Sequence, residues 1–223
     1  MLSETTGLGA PSTLREQAAR LVKRELLSGA VEAGSILSAN ALSKELGISN
    51  SPMREALMDL AAQGLLEVVK NRGFRVYSMT RSDLQDVREM RSILEVAAIE
   101  RLALRGMSEP ERARAHDLSE TSLAALRSGE VVDFLDADHA MHMYLVDLVG
   151  NPRLSAAIGS LRDQTRICGA FAATPPDAFE ACVLEHRDLL DAIAAKDVST
   201  AGRIMAEHLA QLPIDEDRPP QSA

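Results

Sequence analysis

The sequence predicts a mainly α-helical protein in two parts: three helices with a β-hairpin, then an all-α antiparallel bundle of six or seven helices. Three observations carry this expectation. Apolar residues recur at helical spacing between capping residues and glycines over most of the 223 residues. The β-rich runs LLEVV (65–69) and FRVYS (74–78) meet across KNRG (70–73), and no comparable pair follows them. Charge divides at the same place, for residues 1–78 hold nine Lys and Arg against eight Asp and Glu, and the remainder holds 15 against 25. The net charge of −9 thus belongs to the second part. A near-neutral first part permits contact with a polyanion without by itself indicating one.

Residues 1–11 lack a basic start and an apolar core, so they are read as a disordered lead-in and not a secretory signal. The first domain, 12–78, opens with TLRE (13–16), a capping box ahead of Leu14, Ala18, Leu21, Val22 and Leu26, and Gly29 ends this helix. After the loop AVEAGSI, Ser38 caps a short helix that stops at Gly47. Ser49 caps the next, with Pro52 in its first turn, and this helix ends before Gly64. Helix, helix, helix, hairpin is the order of a winged helix-turn-helix.

The second domain, 79–212, opens with Thr80 and Asp83 as a capping box for a long helix to about Arg105. Caps and glycines then mark helices at about 109–128, 131–149, 152–172, 177–195 and 198–212. The Pro-rich acidic tail, 213–223, is read as disordered. No run approaches the roughly 20 apolar residues of a membrane span, so a cytoplasmic protein with no membrane partner is expected. Cys168 and Cys182 lack a Cys-x-x-Cys pattern and are read as buried thiols.

Residues 42–69, LSKELGISNSPMREALMDLAAQGLLEVV, resemble the helix-turn-helix of the GntR family of bacterial transcription regulators. The likeness rests on Leu42, the turn Leu46-Gly47-Ile48-Ser49, Pro52, Arg54, Ala56, Leu57, the exit Gly64-Leu65-Leu66 and the wing-like NRGFRV (71–76). It implies a homodimer on double-stranded operator DNA. A recognition helix presents its N-terminal turn to the major groove, and here that turn is polar, with Ser49, Asn50, Ser51 and Arg54. Family members commonly carry arginine where this chain has Asn40 and Asn50; only Arg54 keeps it. Asn pairs with adenine and Arg with guanine, so a shift towards A·T at one or two half-site positions is expected. Asn40 reads equally as a turn residue and Asn50 as a helix-start residue. Arg54 reads as a DNA contact, against an ion pair with Glu55 or Asp59. Arg72 and Gly73 read as the wing tip, the glycine supplying the turn and the arginine reaching a groove or a phosphate, against a solvated hairpin charge.

VREMRSILEVAAIERLAL (87–104), FLDADHAMHMYLVDLVGNPRL (134–154) and LEHRDLLDAIAAKDVSTAGRIMAEHL (184–209) resemble the FCD sensor domain of the FadR branch of that family. In metal-binding members the ligands are one Asp and three His, which correspond here to Asp138, His142, His186 and His208. Asp138 and His142, four apart, leave one helix face on neighbouring turns. One carboxylate with three imidazoles suits a divalent ion, Zn²⁺ or Ni²⁺; ordinary half-buried histidines are the plain alternative. His139 and His116 read as surface residues. Arg91 either forks onto the carboxylate of an effector or pairs with Glu95 one turn on. Met90, Leu94, Met141, Leu145 and Ile167 read as core.

The resemblance implies a transcriptional repressor, not an enzyme, whose operator binding responds to a small organic acid held near the metal. Two other functions remain at the sequence level: a regulator for which the ion itself is the signal, and a metal-dependent hydrolase, for which no general base or nucleophile is placed by spacing.

Overall fold

The structure is a computed structural model that describes residues 13–167 and 176–211. The readings of residues 1–11 and 213–223, of Cys168 and of the end of the 152–172 helix fall outside the described residues. The first helix, α1 (Leu14–Leu27), starts at the expected box: the Thr13 side chain accepts from the Glu16 amide, and the Glu16 side chain accepts from the Thr13 amide. Helix α2 (Ala39–Leu46) is capped by Ser38, whose oxygen accepts from the Ala41 amide at 3.4 Å. Gly47 ends it at φ 65°, a left-handed conformation that lets the chain turn at once into α3 (Asn50–Ala62). Ser49 holds the N-cap position of α3, but its side chain makes no cap bond.

The hairpin consists of β2 (Leu66–Val69) and β3 (Gly73–Val76), antiparallel with Val68 opposite Phe74. A further strand was not expected: β1 (Ile36–Leu37), inside the segment read as a loop, pairs with the other edge of β3 and gives the sheet order β1-β3-β2. Leu66, Phe74 and Val76 face inward and Glu67 and Arg75 face out, while Val68, on the face of Phe74, lies exposed towards the turn. With Ala18, Val22 and Leu26 of α1 and Met53, Ala56, Leu57 and Leu60 of α3 they form the first core.

Six helices follow among the described residues: α4 (Arg81–Arg105), α5 (Glu109–Ser128), α6 (Val131–Asp147), α7 (Pro152–Ile167), α8 (Pro176–Ala194) and α9 (Val198–Ala210). Capping boxes at Thr80/Asp83 and Ser108/Glu111 start α4 and α5. Helix α4 packs on α7 and α9, and α5 packs on α6 and α8. Ile99 and Leu102, Met141 and Leu145, Leu190 and Ile193, and Met205 and Leu209 bring α4, α6, α8 and α9 into a second core. Of the residues read as core, Met90 departs from the reading and Ile167 joins a different core from the rest. Met90 is half exposed on α4, and Ile167 at the end of α7 belongs to the first core, packed with the winged helix. No helix of the described residues is long and apolar enough to cross a membrane.

Candidate functional site

At the polar end of the winged helix, Asn40 at the start of α2 and Asn50 at the start of α3 do not stand as separate readers. The Asn50 amide nitrogen donates to the Asn40 amide oxygen, tying the two helix starts together. A bidentate contact to adenine uses one N–H and one oxygen lone pair of an amide, and the bond between the two side chains leaves each Asn at least one of each while fixing how the amides face each other. Ser49 and Ser51 are exposed, and the Ser51 hydroxyl donates to Glu55 at 3.1 Å. The partners weighed for Arg54 are engaged elsewhere: Asp59 binds Arg15, and Glu55 lies 4.0 Å from Arg15. Arg54 is exposed and has no ion pair among the described residues. In the wing, Arg72 is exposed, but Gly73 is not the tip. The left-handed turn residue is Asn71, at φ 61°, and Gly73 opens β3 at φ 122°, where a Cβ would lie 2.3 Å from the Leu37 carbonyl oxygen. The glycine is needed because β1 passes over it, and the sequence-level turn reading missed that strand.

In the bundle, α6, α8 and α9 bring His142, His186 and His208 into a triangle with ring centroids 5.0, 4.9 and 5.0 Å apart. Asp138, one turn before His142 on α6, sets its Oδ1 3.6 Å from Nε2 of both His142 and His186. All three histidines are buried. Burial, with neighbouring positive groups adding, holds the His142 imidazole well below its ordinary pKa and pushes that of His186 down to about 3. Both rings are therefore neutral near pH 7, with lone pairs to offer. Nε2 of His142 and both nitrogens of His186 are buried with no hydrogen-bond partner. Each such orphan costs about 1–3 kcal/mol, a cost that a cation at the centre would remove. The neutral imidazoles, the adjacent carboxylate and the orphaned nitrogens fit a divalent ion. The far side of His208 faces Glu185, whose Oε2 lies 3.4 Å from Nδ1, and Gln211 donates to the other carboxylate oxygen at 2.6 Å. A carboxylate behind a metal-binding imidazole orients the ring.

Beside this triangle is a cavity lined by Arg91, Phe134, Leu135, Asp138, Arg162, Arg166, Phe179, Cys182 and His208. Arg91 realises the ion pair, its Nε 2.7 Å from Glu95 Oε1, yet it still lines the cavity. Glu95 is buried between two arginines, since Arg162 Nη1 donates to its other oxygen at 2.7 Å. Burial opposes its charge, but the two guanidiniums outweigh burial and keep the carboxyl below the usual carboxylate range. Arg162 also reaches Asp138 at 3.0 Å, and Arg166 holds Asp136 at 2.7 Å. Arg162 and Arg166 were not singled out from sequence, and Cys182, read as a buried thiol, is half-buried at the cavity wall. Arg162 and Arg166, four apart on α7, carried the one available signal, a shared helix face. His139 is not a surface residue: its Nδ1 is buried without a partner, and burial beside Arg162 and Arg166 lowers its pKa to about 2. His116 is half-buried and stands apart from the triangle.

The opposite face of α7 touches the winged helix. Ser160 donates to the Gln63 carbonyl at 2.8 Å and Gln164 to the same oxygen at 3.3 Å; Gln63 is the residue that ends α3. Asp163 binds Lys23 of α1, and Ile167 enters the first core.

Residues 14–76 match the model of the bacterial regulatory proteins of the gntR family, and residues 86–211, over half the chain, match that of the FCD domain. The chain belongs to the GntR family and carries an FCD domain. The GntR-family chain is 26% identical to the HTH-type transcriptional regulator YdhC of Bacillus subtilis over 84% of each chain. It is 23% identical to the HTH-type transcriptional repressor RspR of Escherichia coli, over 93% of this chain and 90% of the other. Its fold matches that of Escherichia coli McbR/YncC with a TM-score of 0.80, at 24% identity, covering 90% of this chain and 95% of that one. This GntR-family protein is a DNA-binding transcriptional regulator and not an enzyme, so the hydrolase alternative falls with the family assignment.

Proposed function

We propose that this regulator is a cytoplasmic, homodimeric repressor whose grip on operator DNA is set by a small organic acid bound beside a divalent ion, zinc or nickel, in the FCD domain. One observation carries the proposal: a single helix, α7, borders the cavity through Arg162 and Arg166 and hydrogen-bonds the end of α3 through Ser160 and Gln164. Asp138, His142, His186 and His208 hold the ion. When bound, the ion supplies positive charge and open positions for a carboxylate oxygen. Arg91 and Arg166 receive the rest of the anion, and Arg162 responds because it already shares Asp138 and Glu95. A shift of Arg162 moves α7 and with it the anchor on α3. The effector exerts control only if it binds the two positions of α7 unequally.

DNA is read by Arg54 and Ser51 at the exposed start of α3, with Ser49, the Asn40–Asn50 pair and the wing residue Arg72 beside them, while Gly73 serves the close packing of β1 on the wing. Dimerisation is supported by Met90, Ile93 and Leu104, which α4 leaves 50%, 63% and 68% exposed. The repressor sense follows the printed function of RspR.

Native mass spectrometry with elemental analysis of the full chain tests the ligand set. The protein is expected to carry one zinc or nickel per chain, and His142→Ala or His208→Ala to carry less than a tenth of that. Stoichiometric metal in either variant refutes the assignment.

A further inference from the structure

We propose that Cys182 is a further ligand of this centre, so that the ion is bound through sulfur as well as through imidazole and carboxylate; this rests on the metal reading of Asp138 and the three histidines. Cys182 stands four residues before His186 on α8 and so shares its helix face. Its Sγ lies 3.3 Å from Nδ1 and 3.8 Å from Nε2 of His208. Bonds of about 2.3 Å to sulfur and about 2.0 Å to nitrogen put neighbouring ligands of one ion about 3.6 Å apart, close to the 3.8 Å between Sγ and Nε2, the His208 nitrogen not paired with Glu185.

Two groups of ligand atoms, each within 4.8 Å, meet here: His142, His186 and His208, and Cys182, Glu185 and His208. His208 is common to both, so it is the residue through which the thiol adjoins the histidine triangle. The orphaned nitrogens of His142 and His186 point to a guest independently of the sulfur. Cys182 also borders the cavity together with two of those ligands, Asp138 and His208. On binding, the Sγ–H bond breaks, the proton passes to water and the sulfur lone pair goes to the ion. A thiolate shifts the preference of the centre towards zinc and cobalt and away from magnesium and manganese.

The test strips the full-length protein of metal and loads it with Co²⁺. The expected result is about one cobalt per chain by elemental analysis, visible ligand-field bands, and an intense near-ultraviolet thiolate-to-cobalt band. In Cys182→Ser the cobalt and its visible bands remain and the near-ultraviolet band is lost. Wild-type protein that binds cobalt without that band reduces the Cys182–His208 contact to a plain hydrogen bond and overturns the proposal, leaving the imidazole and carboxylate ligands standing. A band that survives in Cys182→Ser overturns it as well. Protein that binds no cobalt overturns this proposal and the metal reading beneath it.

Discussion

Arg54 is the exposed cation on the leading turn of α3, and its acidic neighbours are held by Arg15 or Ser51. Removing it takes away the proposed DNA contact without breaking an ion pair of the fold. Arg54→Ala is therefore expected to weaken operator binding at least several-fold in a gel shift, with an unchanged thermal midpoint; equal affinity would remove Arg54 from the reading set. The buried histidines give a second consequence. His186 titrates at about 3 in the folded chain, against 6.5 for an ordinary histidine, so between those values only the unfolded chain binds the proton. Stability then falls as pH drops through that window. Metal-free protein should melt at lower temperature at pH 5 than at pH 7, and His186→Gln should lessen the difference. A melting curve indifferent to pH in this range would contradict the burial of these rings.

Among the elements, α7 is the one that both lines the cavity and hydrogen-bonds the end of α3, and the proposed coupling runs through it. Ser160→Ala together with Gln164→Ala removes both hydrogen bonds to the Gln63 carbonyl and leaves the cavity face intact. The double variant should keep its metal content, while the ratio of operator affinities with and without organic acid falls towards one. A ratio equal to that of the wild type would exclude these bonds as the route. The helices themselves were legible because each carries local signals: the boxes at Thr13, Thr80 and Ser108, and the stops at Gly47 and Gly129. Strand β1 was not, since two residues show no alternation and its pairing with β3 joins Ile36 to Arg75, far along the chain. The Asp and three His came from the family likeness, with only the Asp138–His142 spacing visible locally. The Glu95–Arg162 pair and the Cys182–His208 contact lie 67 and 26 residues apart, beyond any helical spacing. Asn40 and Asn50 were both noticed, but their bond to each other depends on how α2 meets α3.

For the whole molecule, the uneven charge has a physical use. An acidic bundle held behind a near-neutral winged helix leaves Arg54 and Arg72 on the surface offered to a duplex and repels the same polyanion elsewhere. In the proposed dimer that surface is doubled and two α3 helices stand at a fixed spacing, the quantity that the proposed movement of α7 would alter. The most direct test is the operator affinity of the metal-loaded full-length dimer, by fluorescence anisotropy at fixed salt, titrated with a series of hydroxy- and dicarboxylic acids. At least one acid should change the affinity about tenfold or more in loaded protein, with no such change after chelation. Affinity unmoved by every acid, or moved equally with and without metal, would contradict a regulator governed from this buried centre.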